Sequence, residues 1–474
     1  MGSSKRLVIV SNRAPAEGLG AGGLAAALQD ALSDREALWF GWSGEVCGTA
    51  VSNPNRTRDF EDLTVSLMDL TEAERDGYYL GYSNLTLWPA LHYRLDLSAF
   101  EPEHLTIYRA VNARFADRLM EQVRPDDLIW VHDYHLIPLA AELRRRGVRN
   151  PIGFFLHIPF PPEELYNAIP GGDALVDDLL SFDLVGFQAN RDRSNFERVA
   201  LSQGAAYGPD GRLSKAGRLT RARAYPIGIN AQSFRTLAEE TPGQAVLAGE
   251  GVTAMIGVDR MDYSKGLPER MEAIGAFFET HPDAHGALSL VQITPPSRGD
   301  LPAYAELRRT LDEAVGHVIG RFATVDWTPV LYMARGLERE KLAALYRQAK
   351  IGLVTPLRDG MNLVAKEYVA AQDPDDPGVL ILSEFAGAAE QMTEALLVNP
   401  HHPEAVAEAI ARALSMELGE RKRRHAALWR AVSEQDAAWW CDRFETDLES
   451  VKSEPSGPGG RLAAALGAFS SVGL

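Results

Sequence analysis

The run Leu353-Val354-Thr355-Pro356-Leu357-Arg358-Asp359-Gly360-Met361-Asn362-Leu363-Val364-Ala365-Lys366-Glu367 sets two carboxylates beside a turn that must expose backbone amides. The apolar stretch Ile351 to Val354 reads as a buried strand, a Pro, a Gly and an Asn turn the chain, and Ala365 to Ala371 is helix-forming. A strand, a polar turn and a helix N-terminus make a place where N–H groups point outward and hold anions. Asp359 stands at the mouth of the turn, and Glu367 lies roughly one to two helical turns in. Amides take phosphate or sugar oxygens and carboxylates take hydroxyls, so the segment suits a sugar nucleotide. An ordinary βα loop whose acids only cap the helix has the same composition.

Other polar groups also follow apolar runs. Ser11-Asn12-Arg13 comes after the first such run, and Gly18, Gly20, Gly22 and Gly23 come next. Gly18 to Gly23 formally matches G-x-G-x-x-G, but the loop is long for a dinucleotide fingerprint and the next strand-like run, Leu38-Trp39-Phe40, ends without an acid for a ribose. That argues against a dehydrogenase, while Gly22-Gly23 opening a helix from Leu24 to Leu32 still offers amides to a phosphate. His132-Asp133-Tyr134-His135 and His157-Ile158-Pro159-Phe160-Pro161 invite a metal reading, but no second ligand group has sensible spacing. Asp133 reads better as an acceptor for a sugar hydroxyl. In Arg260-Met261-Asp262-Tyr263-Ser264-Lys265-Gly266, Arg260 and Lys265 are placed to clamp a diphosphate. Surface pairs of this kind are usually only solvated; the position at a strand end favours the clamp. Arg298, after a Pro-Pro turn, could reach another phosphate. Tyr78-Tyr79, Trp88, Trp39 and Trp42 supply rings for a sugar face or for the core.

Parallel sheets would position these groups. Strands are expected at Leu7–Ser11, Asp127–His132, Ile152–His157, Leu184–Gln188, Ala224–Ile227, Ala254–Val258, Ser289–Ile293, Ile351–Thr355 and Val379–Ser383. Helices are expected at Ala110–Val123, Leu136–Arg146 and Asp300–Ala314, with a long helical stretch from Pro403 to Val451. Continuously apolar strands alternating with helices imply parallel sheets covered on both faces, with ligands beyond the strands' carboxyl ends. The turn Tyr225-Pro226-Ile227-Gly228-Ile229-Asn230 divides two α/β domains, 1–229 and 230–452, and the Pro/Gly/Ser-rich 453–474 reads as a flexible tail.

The chain has 474 residues, enough for two domains of roughly 200 residues each. With 48 basic and 65 acidic residues its net charge is -17, which argues against a nucleic-acid partner. It lacks the roughly 18 consecutive apolar residues of a membrane span. Its N-terminal apolar run is too short for a signal peptide, and two cysteines are too few for a disulfide framework. A cytoplasmic location is expected.

Together these segments resemble the trehalose-6-phosphate synthases of glycosyltransferase family 20. The resemblance rests on Val10-Ser11-Asn12-Arg13, Trp39-Phe40-Gly41-Trp42-Ser43-Gly44, Leu87-Trp88-Pro89, His92-Tyr93-Arg94, His132-Asp133-Tyr134-His135, Gly153 to Pro161, Tyr225 to Ile229, Arg260 to Gly266 and the 353–367 run, in the family's order. It implies the GT-B fold, two Rossmann-like domains facing across a deep cleft, the second with its last helix packed back on the first. It implies retaining transfer of glucose from UDP-glucose, or another NDP-glucose, to glucose 6-phosphate, without a metal or other cofactor, in a homo-oligomer (dimer or tetramer). By carry-over, Arg13, Trp42, Tyr79, Trp88, Asp133 and Arg298 would hold the acceptor. Gly22, Gly23, Arg260 and Lys265 would hold the donor diphosphate. His157 and Asp359 would contact donor glucose, Gly360, Met361, Asn362, Leu363 and Val364 the glucose and phosphate, and Glu367 the ribose. Asp133, His157, Arg260, Lys265 and Asp359 form the expected catalytic set. The glycine loop after Arg13 is short for the family, and residues 46–62 have no assigned role. A pseudo-glycosyltransferase coupling cyclitols and a non-catalytic sugar-phosphate sensor are the alternative functions.

Overall fold

The computed structural model describes residues 5–15, 28, 36–48, 55–60, 63–241, 249, 251–299 and 301–451. Gly18, Gly20, Gly22 and Gly23, the helix expected over Leu24–Leu32 apart from Leu28, parts of the 46–62 stretch and the 453–474 tail lie outside the described residues.

The strands of the first sheet are β1 (Leu7–Arg13), β2 (Ala37–Cys47), β3 (Arg56–Phe60), β4 (Leu63–Thr71), β5 (Leu128–His132), β6 (Ile152–Leu156), β7 (Leu184–Phe187), β8 (Ala206–Tyr207), β9 (Leu213–Lys215) and β10 (Arg218–Ala224). They lie in the order β3-β4-β2-β1-β5-β6-β7-β10-β9-β8. The centre is parallel, while β3 pairs antiparallel with β4 at one margin and β9 pairs antiparallel with both β10 and β8 at the other. The second sheet comprises β11 (Thr253–Val258), β12 (Leu288–Ile293), β13 (Val330–Met333), β14 (Ile351–Val354), β15 (Val379–Ser383) and β16 (Leu396–Val398). It is parallel throughout, in the order β13-β12-β11-β14-β15-β16.

The apolar runs explain the centre of each sheet. Every residue of β5, β6, β12 and β14 is buried, as expected of strands covered by helices on both faces. Strand order reverses between β1 and β5 in the first sheet and between β11 and β14 in the second. A reversal leaves a crevice at the carboxyl ends, because the connections depart to opposite sides. The loops beginning at Arg13, Asp133, Arg260 and Thr355 are the loops that leave these four strands.

One expected strand is misplaced. Arg218–Ala224 forms β10, whereas 225–230 is irregular. Tyr225 still donates its N–H to Phe187 O at 2.7 Å, but Pro226 has no N–H and the ladder stops. The three arginines of β10 disguise a strand that is only part-buried. The expected helices begin or end elsewhere: Pro102–Met120, Leu139–Arg145 and Pro302–Phe322, two of them opened by a proline in the first turn. The final stretch is three helices, Pro403–Leu414, Leu418–Glu434 and Ala437–Ser450. The last packs on the first sheet, with Phe444 stacked on Trp130 of β5 at 4.3 Å and Asp447 accepting from Tyr225 Oη at 2.7 Å. Among the described residues no helix is long and apolar enough to cross a membrane.

Candidate active site

The two crevices face each other and touch. A β-carbon on Gly360 would lie 2.2 Å from the carbonyl oxygen of His157, so only glycine lets the loop after β14 meet the loop after β6. Beside this contact, Lys265 Nζ lies 2.5 Å from Asp359 Oδ2, which also accepts from Asn362 Nδ2 at 3.0 Å. Burial by itself would raise the Asp359 carboxyl; the Lys265 ammonium, with Asn362, more than reverses this and holds it below the usual carboxylate range. Asn362 adopts φ +86° and its side-chain oxygen accepts from Ala365 N at 3.2 Å, capping the helix Leu363–Ala371. That helix therefore opens with the Leu363 and Val364 amides beside the Lys265–Asp359 pair. Met361 is buried and its carbonyl accepts from Ala388 N at 2.9 Å, which fixes the loop from below.

Arg260 stands exposed at the carboxyl end of β11, and its charge favours the ionised forms of Asp133 and Asp262. Glu367, part-buried farther along the helix, is pushed by burial up to about 7, with Arg339 pulling the other way.

On the opposite wall, Asp133 leaves β5 at φ +73° and accepts from His157 N at 3.3 Å. A non-glycine residue in this region is strained, and such strain clusters at functional sites. Burial pushes the Asp133 carboxyl up to about 6 against the pull of the Tyr134 and His157 amides and of Arg298 and Arg260. His157 Nε2 lies 3.0 Å from His132 Nδ1. Burial drives the His157 imidazole down to about 3 and that of His132 well below its ordinary value, so both rings are neutral.

A floor of rings runs from Arg13 to Arg298. The Arg13 guanidinium lies 4.7 Å over Trp42, Trp42 meets Tyr79 at 5.4 Å, and Tyr79 stacks on His135 at 5.9 Å. His135 contacts Tyr134 at 3.9 Å, Tyr134 contacts Trp88 at 5.7 Å, and Arg298 lies 3.7 Å over Trp88. Arg298 thus crosses from the second half to rings of the first. Its Nη1 donates to Tyr304 Oη at 2.7 Å and reaches Asp262 Oδ2 at 3.5 Å, while Nη2 donates to Tyr134 Oη at 3.3 Å. Asp262 is fully buried; burial would raise it, but Arg298, His92 and the nearby cations hold it low, so it stays an anion that fixes Arg298. Two guanidiniums at the ends of an aromatic floor suit a sugar phosphate: rings for the sugar face, fork-shaped donors for the phosphate.

Further contacts hold the halves together. Glu390 accepts from the amides of Asn190 at 2.9 Å and Arg191 at 3.1 Å, capping from across the cleft the helix Asn190–Ser202, whose own N-cap, Ala189, offers no side-chain oxygen. Arg358 lies 4.1 Å over the Tyr93 ring.

Of the residues the sequence singled out, the structure brings together Arg13, Tyr79, Trp88, Asp133, His157, Lys265, Arg298, Asp359 and the 360–364 loop, with Arg260 at the rim. Trp42 is buried and serves as the support under Arg13. Gly22 and Gly23 lie outside the described residues. Sequence reasoning missed Asp262, Tyr134, Tyr304, His132 and Glu390, which act through contacts with residues far away in the chain. Asp262 lies between Arg260 and Lys265, and His132 and Tyr134 flank Asp133; that adjacency was the available signal. Among the described residues no three His, Cys, Asp or Glu side chains form a group that could hold a metal ion.

A family model described as glycosyltransferase family 20 matches residues 10–450. A trehalose-6-phosphate synthase of Sodalis glossinidius is 46% identical over 456 residues, 95% of this chain and 97% of the relative. The crystal structure of a UDP-forming α,α-trehalose-phosphate synthase from Burkholderia xenovorans superposes with a TM-score of 0.90 at 46% identity, covering 94% of this chain and 99% of that one. A UDP-forming α,α-trehalose-phosphate synthase from the same organism, in complex with glucose 6-phosphate, superposes with a TM-score of 0.89 at 44% identity, covering 94% and 100%.

Proposed function

The chain belongs to glycosyltransferase family 20, and on that premise we infer that it is an enzyme of the GT-B fold that makes trehalose 6-phosphate by transferring glucose from a nucleotide sugar to glucose 6-phosphate. The observation that carries this reading is the apposition of the Gly360 loop and His157, which sets a cation and helix-end amides of the second half against the Asp133–His157 wall of the first, beside an aromatic floor flanked by one arginine from each half. We take residues 1–229 as the acceptor domain and 230–452 as the donor domain. UDP-glucose is the proposed donor, because the similar structures are of UDP-forming enzymes.

In this scheme Lys265, Arg260 and the amides of Gly360 to Val364, with Gly22 and Gly23, hold the donor diphosphate, and Glu367 holds the ribose. Arg298 and Arg13 hold the acceptor phosphate, with Tyr79 and Trp88 beneath the sugar and Asp133 on its hydroxyls. As the anomeric C–O bond breaks, positive charge grows on the glucose ring and negative charge on the departing diphosphate. In the proposed scheme Lys265, Arg260 and the helix-end amides stabilise that negative charge as it develops; Lys265 and the amides are already held in place, which lowers the barrier with little reorganisation. We assign the charge stabilisation to these groups, with no metal ion in the scheme.

Asp359 is already paired with Lys265 and Asn362, so it is not poised as a nucleophile. The proposed path is therefore front-face: the departing phosphate oxygen takes the proton of the incoming acceptor hydroxyl, which attacks from the same side and retains configuration. Contact between the halves excludes water, which would otherwise hydrolyse the donor.

The test is nucleotide release by the purified protein from UDP-, GDP- and ADP-glucose, each with and without glucose 6-phosphate. Acceptor-dependent release supports the reading and names the donor. Release that ignores glucose 6-phosphate would remove the acceptor from it.

A further inference from the structure

His132 plays no part in the scheme above, yet its ring is the nearest polar partner of the His157 side chain. His132 Nδ1 lies 3.0 Å from His157 Nε2, and the ring centroids are 5.3 Å apart. Both rings are neutral, so each has one N–H and one bare nitrogen, and one of the facing nitrogens donates to the other. Two arrangements satisfy this. Either His132 donates from Nδ1 and keeps Nε2 bare, or it accepts at Nδ1 and carries its proton on Nε2.

The surroundings of His132 Nε2 choose between them. That atom is buried without a hydrogen-bond partner among the described residues. The His132 ring packs 4.7 Å from Trp130, 6.1 Å from Trp440 and 6.5 Å from Phe155. A buried N–H with no acceptor is rarer and more costly than a bare acceptor nitrogen. The indole Nε1 groups of Trp130 and Trp440 are likewise buried without partners among the described residues, so this cluster is already rich in donors and poor in acceptors. A bare Nε2 suits it, and a third orphaned donor does not.

We propose that His132 is a positioning residue that holds His157 in the Nδ1–H tautomer, so that His157 offers the cleft a hydrogen-bond donor and not a base. The inference deepens the reading above and rests on it for the identity of what His157 meets, an oxygen of the donor sugar. With Nε2 occupied by the His132 proton, the His157 proton sits on Nδ1. The backbone of His157 is held on both sides, its N–H by Asp133 and its carbonyl against Gly360. An N–H at Nδ1 can hold a hydroxyl or ring oxygen of the sugar while the anomeric bond breaks. It cannot take the acceptor proton, which leaves that proton to the departing phosphate.

Two variants and one spectrum test this. In His132→Asn the side-chain amide Nδ2–H stands where the Nδ1–H stood; in His132→Phe the ring is kept and the donor is lost. If His132 only filled space among Trp130, Phe155 and Trp440, Phe would be the better replacement. The tautomer role predicts the reverse order in catalysis: kcat/KM for the nucleotide sugar within about threefold of wild type in His132→Asn, and lower by about thirtyfold in His132→Phe. Thermal stability should be at least as high in His132→Phe as in His132→Asn. In the wild-type protein labelled with 15N-histidine, the His157 signals, assigned by their loss in His157→Gln, should show a protonated Nδ1 and a bare Nε2. A protonated Nε2 on His157, or a His132→Phe enzyme as active as His132→Asn, would overturn the proposal. The spectrum needs no turnover, so the tautomer can hold in a protein that makes no product, and that result would count against the synthase reading alone.

Discussion

Lys366 donates from Nζ to the backbone carbonyl of Ile227 at 2.7 Å, from the helix behind the donor loop to the segment that joins the two sheets. It also donates to Gln391 Oε1 at 2.8 Å, and Gln391 in turn donates to Gln435. Gln435 precedes the last helix, which returns to the first sheet. The two crossovers meet next door: a β-carbon on Gly228 would fall 2.3 Å from the carbonyl carbon of Asp436. One buried lysine therefore links the donor helix directly to the first crossover and, through Gln391, to the second.

That lysine carries a pH signature. Burial lowers its pKa from 10.5 to about 7. Between those values the unfolded chain binds a proton that the folded chain does not, so stability contributed by this group rises from pH 7 toward 10 and is lost on the way down. Urea midpoints measured across that range should climb more steeply in wild type than in Lys366→Met. Parallel slopes would show that Lys366 is charged in the folded protein.

Lys265 is held beside the donor loop by Asp359. Removing the ammonium takes away charge stabilisation of the leaving diphosphate, and Lys265→Ala should lower kcat/KM by about 10²- to 10³-fold. Near-normal turnover would take Lys265 out of the scheme.

Arg298 faces the acceptor. Arg298→Ala should raise the acceptor KM by about 10- to 100-fold, the worth of hydrogen bonds to a charged group, while the donor KM changes little. Asp262→Asn should move the acceptor KM in the same direction by less, since it loosens Arg298 without removing it. Steady-state kinetics with each substrate varied separately would check both.

The Asp133 carboxyl, raised by burial to about 6, must be ionised to accept sugar hydroxyls. Activity with the acceptor should fall as pH drops through about 6, and Asp133→Asn should have low activity without that limb. The acceptor phosphate titrates near pH 6 as well, so the informative quantity is the difference between the two profiles. Identical limbs in both proteins would assign the limb to the phosphate.

Much of this site was legible in the sequence, for a physical reason. Leu7–Val10, Ile152–Leu156 and Ile351–Val354 are short apolar runs ending in polar turns, and parallel sheets put such turns together. Arg13, Asp133, Lys265 and Asp359 could therefore be picked out one at a time. Their partners could not. Asp262 earns its role only through Arg298 and Tyr304, and Glu390 only through a helix in the other half. Such contacts are fixed by how the two sheets dock, which local periodicity does not encode. β10 lies earlier in the chain than the apolar pattern predicts because its arginines hide a strand between β7 and the antiparallel β9.

The most direct test of the synthase reading is the linkage of the product. Donor glucose labelled with 13C at C1 would be incubated with glucose 6-phosphate and enzyme, and the products followed by NMR. The account predicts one α,α-1,1-linked disaccharide phosphate for each nucleotide released, the labelled carbon keeping the α configuration. Free labelled glucose, a β linkage, or attachment at any other hydroxyl of the acceptor would contradict it.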